Sequence, residues 1–177
     1  LLLQGKTTTP ADLVKDLPGD NEAKAETIDN NLQHEIVKKM SSNPMYYGKL
    51  SEMLKKIIMQ RKVAAMSYQE YLKQVVEMAE AILHPEDNGD YPDEVKNSAA
   101  RRALFDYFEE DLELTVDVDG AIRIAIRPAW KKNRQKQQKI RLAIYEKLLL
   151  HSYSKDKAEE ETNQVFDIAQ RQEEYDA

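Results

Sequence analysis

Residues 67–83, SYQEYLKQVVEMAEAIL, constrain the fold more than any other stretch of this chain. Ser67 and Glu70 form a Ser-x-x-Glu pattern, in which the serine oxygen takes an amide that the first helical turn leaves without a partner. Tyr71, Leu72, Val75, Val76, Ala79, Ile82 and Leu83 then recur at the spacing of one helical face. A helix with one apolar face is stable only when other elements cover that face, so the remaining sequence must supply partners.

It supplies several. Asp20 is placed to cap a helix carrying Ala23, Ala25, Ile28, Leu32, Ile36 and Val37, which predicts a helix to about Met40. "SSNP" stops it, and Asn43 with Pro44 starts another, because proline at the first helical position gives up only an amide that had no partner. Tyr46, Leu50, Met53, Leu54, Ile57 and Ile58 make its apolar face. Beyond His84-Pro85, "EDNGDYPD" reads as an exposed loop, and a further helix is expected from Pro92 or Asp93 through Ala99, Ala103, Leu104 and Phe108. A basic helix to about His151 and a last helix from about Asp156 to the end complete the set.

Two segments resist this reading. Residues 1–19 look like a linker or partial element, ahead of one helical domain at 20–177. "LELTVDVDGAIRIAIRP" alternates polar and apolar residues around Asp119-Gly120, as a β-hairpin would, yet Leu112, Val116, Ile122 and Ile126 also fit one wide helical face. Only five glycines and six prolines are present, too few turn formers for many short strands. The expected fold class is all-α, a bundle of about six to seven helices, with a kink or short irregular segment allowed near Gly120.

Cysteine is absent, which excludes disulfides and thiolate metal sites and suits a reducing cytoplasm. No apolar run approaches the roughly 20 residues of a membrane helix. The chain begins without Met, so it is expected to be a piece of a longer protein. Its glycines, Gly5, Gly19, Gly48, Gly89 and Gly120, are too scattered for a phosphate-binding loop. His34, His84 and His151 lack a recognised metal-ligand spacing. Asp87 to Asp90 lacks the ligand ladder of a calcium loop, and the Pro92-Asp93, Glu94-Val95-Lys96 run, superficially a nuclease motif, is explained by helix capping. No catalytic, cofactor or metal site is expected.

Charge is unevenly spread along a chain of net −6. Asp106, Glu109, Glu110, Asp111, Glu113, Asp117 and Asp119 fall between Leu104 and Ile122 with no basic residue among them. From Gly120 to Tyr145 the reverse holds: Arg123, Arg127, Lys131, Lys132, Arg134, Lys136, Lys139 and Arg141 occur with no acidic residue. On a helical wheel Lys131, Lys132, Arg134, Lys136, Lys139 and Arg141 spread round most of the circumference, leaving Ile140, Ala143, Ile144 and Leu148 for a core. Three readings follow: a solvated helix partly neutralised by the acidic block, a protein-docking face, or a DNA contact. Trp130, the single tryptophan, is by default a core or hinge anchor.

At "NPMYY" (43–47), followed by "KLSEMLKKIIMQRK" and "SYQEYL", the chain resembles the C-terminal helical region of type I restriction enzyme R subunits. "NEAKAETIDNNL" is similar to the helix preceding that motif. "ALFDYF" through "VDVDGAIR", "WKKNRQKQQKIRLAI" and "VFDIAQRQEEY" follow in the family's order, so the resemblance covers about residues 12–177. It implies helix through the ambiguous stretch, although Gly120 stands where helix formers are usual. It also implies a parent protein that is an ATP-dependent type I site-specific deoxyribonuclease, with nuclease and motor parts using ATP and Mg²⁺. The tail itself would be non-catalytic, cytoplasmic and not membrane-bound. Its partners would be the modification and specificity subunits, with DNA reached through the parent complex. The expected docking residues are Trp130, Lys131, Lys132, Asn133, Arg134, Lys136, Lys139 and Arg141; the alternative is a DNA-contacting module using 127–141.

Overall fold

The computed structural model describes residues 17–88 and 90–176; the reading of 1–16 as linker lies outside the described residues. Those residues are all-α, with eight α-helices, two 3₁₀ turns and no strand. They divide into two compact units, the first taking the chain to Met40 and Tyr46–Asp90, the second taking Ser41–Met45 and Tyr91 onward. The span read as one helical domain thus holds two units, each with its own core.

The first unit contains α1 (Asn21–Lys39), most of α2 (Pro44–Lys62) and α3 (Tyr68–Leu83). Asp20 Oδ1 accepts the Ala23 amide at 2.9 Å and Ser67 Oγ accepts the Glu70 amide at 3.2 Å, so both predicted caps form. Ile28, Leu32 and Ile36 of α1, Leu50, Leu54 and Ile57 of α2, and Tyr71, Val75 and Ile82 of α3 fill one buried cluster. Lys39 Nζ donates to the Ile82 carbonyl at 2.9 Å and the Tyr46 hydroxyl to the Ala81 carbonyl at 2.9 Å, satisfying carbonyls at the end of α3.

The second unit contains α4 (Asp93–Lys96), α5 (Ala99–Tyr107), α6 (Leu112–Ala125), α7 (Arg134–Leu150) and α8 (Lys155–Gln170), with 3₁₀ turns at Trp130–Lys132 and Glu173–Tyr175. The single helix expected from Asp93 to Phe108 is divided in two, because Ser98 takes an extended conformation and its Oγ accepts the Arg101 amide at 3.1 Å, opening a new helix. The hairpin alternative at 112–128 is not realised. Asp111 caps α6 by accepting the Leu114 amide at 3.0 Å, and Leu114, Val118 and Ile122, four residues apart, all reach the core. The helix continues through Gly120, where an added Cβ would meet nothing within 4 Å. Pro128 lies in the break after α6, followed by Ala129 in the left-handed region at φ 58°. Asn133 Oδ1 accepts the Lys136 amide at 3.1 Å, so the basic helix starts only at Arg134.

Candidate functional site

Of the predicted docking residues, Trp130 alone lies in the core, and the others are half-buried or exposed. Trp130 is 1% exposed. Its indole Nε1–H donates to the Tyr175 carbonyl at 2.6 Å, and its ring meets Phe166 edge-on at 5.8 Å. Expected as part of a docking surface, it is instead a core residue tying the turn at 130 to the chain's last turn. Lys131 Nζ donates to the Gln172 carbonyl at 3.0 Å and pairs with Asp176. Asn133 serves as the α7 cap, and Lys136 Nζ donates to the Pro128 carbonyl at 2.6 Å. Arg141 donates to Asn163 Oδ1 at 2.6 Å and lies over the Phe166 ring at 3.8 Å. Lys132, Arg134 and Lys139 are exposed.

Three aspartates of the acidic block pair away from these cations. Asp117 faces Lys147 at 3.4 Å and His151 at 3.2 Å, Asp106 accepts from Asn43 and Tyr91, and Asp111 is spent on its cap. Lys131, Lys132, Arg134, Gln137, Gln138 and Arg141 therefore line a groove of about 490 Å³ that holds four cations, two amides and no carboxylate. Gln137 Nε2 donates to the Lys131 carbonyl at 2.8 Å, locking the 130–132 turn onto α7.

Sequence reasoning missed a charged centre inside the second unit. Asp119 is 0% exposed. Its carboxylate accepts from Arg101 Nε at 2.7 Å, from Arg123 Nε at 2.9 and 3.0 Å, and from the Tyr175 hydroxyl at 2.7 Å. Burial works to raise the carboxyl's pKa, and the donors Arg123, Arg101 and Tyr175 outweigh it, holding Asp119 below the ordinary aspartate value. Burial and then the Asp119 charge push the Tyr175 hydroxyl up. Glu174 extends the network to Ser98 Oγ at 2.7 Å, the Ala100 amide at 3.2 Å and Arg123 at 3.0 Å. One signal was readable: Asp119 sits within the apolar stripe of α6, four residues before Arg123.

The first unit has a parallel centre. Asp29 accepts from the Tyr71 hydroxyl at 2.7 Å and from Arg61 at 2.8 Å, and Arg61 also reaches Glu22. The Tyr71 hydroxyl lies 3.0 Å from the Ala25 carbonyl as well, so its one proton is shared. The Arg61 guanidinium stands 5.3 Å from the Tyr71 ring centre, and Arg123 stands 5.2 Å from that of Tyr175. Burial and then the Asp29 bond push the Tyr71 hydroxyl up.

The first unit's groove differs from the second's in having apolar residues in its lining. Between α2 and α3 runs a groove of about 770 Å³ whose floor includes Leu50, Ile57, Met78 and Ala81, with Tyr46 and Met53 beside it and Lys49, Lys56, Lys73 and Glu77 at its rim. Met53 is 52% exposed and Met59 61%. His84, Glu86 and Asp87 bring possible metal-ligand atoms within 4.8 Å of one another on the surface, an ordinary arrangement for exposed polar groups in a turn. Among the described residues, no helix is long and apolar enough to cross a membrane. No family model, curated protein or solved structure matches the chain.

Proposed function

We propose that this chain is the C-terminal helical domain of a type I restriction enzyme R subunit, which holds a DNA motor on its modification and specificity subunits and catalyses nothing itself. One observation carries the reading. Stretches on which the resemblance rests supply most of the partners of the two buried networks. Asp29, Arg61 and Tyr71 come from "NEAKAETIDNNL", "KLSEMLKKIIMQRK" and "SYQEYL"; Asp119, Arg123 and Tyr175 come from "VDVDGAIR" and "VFDIAQRQEEY". Asn43 of "NPMYY" donates to Asp106 of "ALFDYF" at 2.6 Å, and Trp130 of "WKKNRQKQQKIRLAI" to Tyr175. Collinear motifs that meet in space are compatible with a shared fold, which is the support this reading has.

Docking is assigned to the α2–α3 groove. Protein interfaces are anchored by apolar and aromatic groups at a dry centre, and methionines adapt such a centre to its partner. Met53 and Tyr46 offer that chemistry over a floor that includes Met78. With Trp130 buried, the polar face of Lys131, Lys132, Asn133, Arg134, Lys136, Lys139 and Arg141 lacks an anchor. On this reading ATP and Mg²⁺ belong to the motor and nuclease parts of the parent, and the complex works in the cytoplasm.

The test is competition. Excess chain, added to the cognate modification and specificity subunits before the intact R subunit, should block ATP-dependent DNA cleavage and leave methylation unchanged. Undiminished cleavage at saturating excess contradicts the proposal.

A further inference from the structure

The geometry points to a role beyond docking for the second unit: the groove at the start of α7 holds the phosphate backbone of duplex DNA by charge, without reading bases. That the duplex is DNA rather than RNA rests on the parentage proposed above; the phosphate chemistry rests on the groove alone.

Lys131, Lys132, Arg134 and Arg141 face one concavity together with the amides of Gln137 and Gln138. These are the side-chain types that bind phosphate and sugar oxygens along a duplex. Their field is offset at one position: among the described residues, Asp176 beside Lys131 is the one carboxylate paired with any of them, and Asp111, Asp117 and Asp119 of the acidic block have other partners. Two of the four are set in position, Lys131 on the Gln172 carbonyl and Arg141 on Asn163 and the Phe166 ring. Lys132 and Arg134 are exposed and reach outward. Asn133 caps the Lys136 amide, so side chains rather than the bare helix end supply the charge.

The lining also selects against other polyanion partners. A docked protein would need an apolar anchor, and no lining residue is apolar. Single strands are held by stacking bases on aromatic rings, and the one aromatic residue within the 127–141 segment, Trp130, is in the core. Charge and amides without rings fit a duplex backbone, whose bases are already stacked.

Fluorescence anisotropy of the whole chain with a labelled DNA duplex, the matching single strand and an RNA duplex tests this across a salt series. Log affinity for the DNA duplex should fall linearly with log salt, by about 0.9 for each phosphate neutralised. Lys132→Glu with Arg134→Glu should weaken duplex binding at least about tenfold at low salt and reduce the slope by about two, since each cation withdrawn from a phosphate lowers it by about one. Lys38→Glu with Lys62→Glu, at exposed positions outside both grooves, makes the same charge change in the first unit and should leave DNA binding unchanged. Circular dichroism confirms that both variants stay helical. Absent duplex binding, equal losses in the two variants, tighter binding of the single strand or the RNA duplex, or a groove variant that loses the methyltransferase instead of DNA would each overturn the inference. Docking is measured without DNA, so either assignment fails separately from the other.

Discussion

The two units solve the same internal problem with different completeness. Each holds an aspartate against an arginine and a tyrosine hydroxyl, with the guanidinium over the tyrosine ring. In the second unit the carboxylate has two arginines and a buried hydroxyl, and Glu174 continues the network to the start of α5. In the first, Arg61 serves Asp29 and Glu22, while its Nε and the nearby Tyr68 hydroxyl are buried without a partner. Buried ion pairs add little net stability over an apolar core and cost much when broken, so such centres act chiefly to fix which helices pair and in which register. The second unit has more to fix: its centre ties α5, α6 and the final turn at Tyr175, which in turn receives Trp130. Outside, the difference reverses in kind, an apolar groove on the first unit and a charged one on the second.

The largest effect that separates them is loss of the central carboxylate. Asp119→Ala should cost about 3–5 kcal/mol, the range for stranding a buried ion pair. Asp29→Ala should cost about 2–3 kcal/mol, near the value of hydrogen bonds to a charged group, because Arg61 keeps Glu22. Urea unfolding followed by tryptophan fluorescence and amide exchange separates the two, and equal or reversed losses would break the comparison. The single tryptophan lies in the second unit and reports on it alone.

Acid provides a smaller, graded test of the second unit. Asp119 and Glu174 both titrate below their ordinary values of 3.8 and 4.5 when folded. The unfolded chain therefore takes up protons first, so the stability these groups contribute is present above that range and is lost as pH falls through it and toward their folded values. Trp130 fluorescence should shift to the red in that window at a urea concentration that leaves the chain folded at neutral pH. Asp119→Asn, less stable throughout, should show a shallower dependence on pH; an unchanged slope removes Asp119 as its source.

The smallest effect concerns the tyrosines. Tyr175→Phe removes a donor to Asp119 and should cost about 1–2 kcal/mol. Tyr68→Phe deletes a buried hydroxyl with no partner and should be neutral or stabilising by up to about 1 kcal/mol. A cost at Tyr68 as large as at Tyr175 would show that the first centre is as fully satisfied as the second.

Caps and apolar periodicity were the legible part of the fold. Asp20, Ser67 and the Pro44 start each stand where the local chemistry placed them, because a cap involves residues within one turn. Ser98 is also a local cap and divides the run, whereas the cap expected at Asp93 does not form: Asp93 is the first residue of α4, which starts after Pro92 with no side-chain cap. The 112–128 alternation was ambiguous because Thr115 and Asp119, polar by type, lie on the buried face, and Arg101 and Tyr175, partners of Asp119, are distant in sequence. Trp130 was legible by type as a core anchor, but its acceptor was not: Tyr175 is 45 residues away. The charge of 127–141 was legible as composition, whereas its concavity depends on how the 130–132 turn folds back on α7 through Gln137.

The two outward faces are thus assigned separate tasks, protein docking on the first unit and duplex binding on the second. Immobilised modification and specificity subunits, without DNA, test that division most directly by the dissociation rate of the bound chain. Met53→Glu, at an exposed position beside the α2–α3 groove, should speed dissociation at least about tenfold, as loss of an interface anchor does, while Lys132→Glu with Arg134→Glu should leave the rate unchanged. The opposite pattern, an unaffected Met53→Glu variant and a fast-dissociating groove variant, would contradict it and return docking to the basic face.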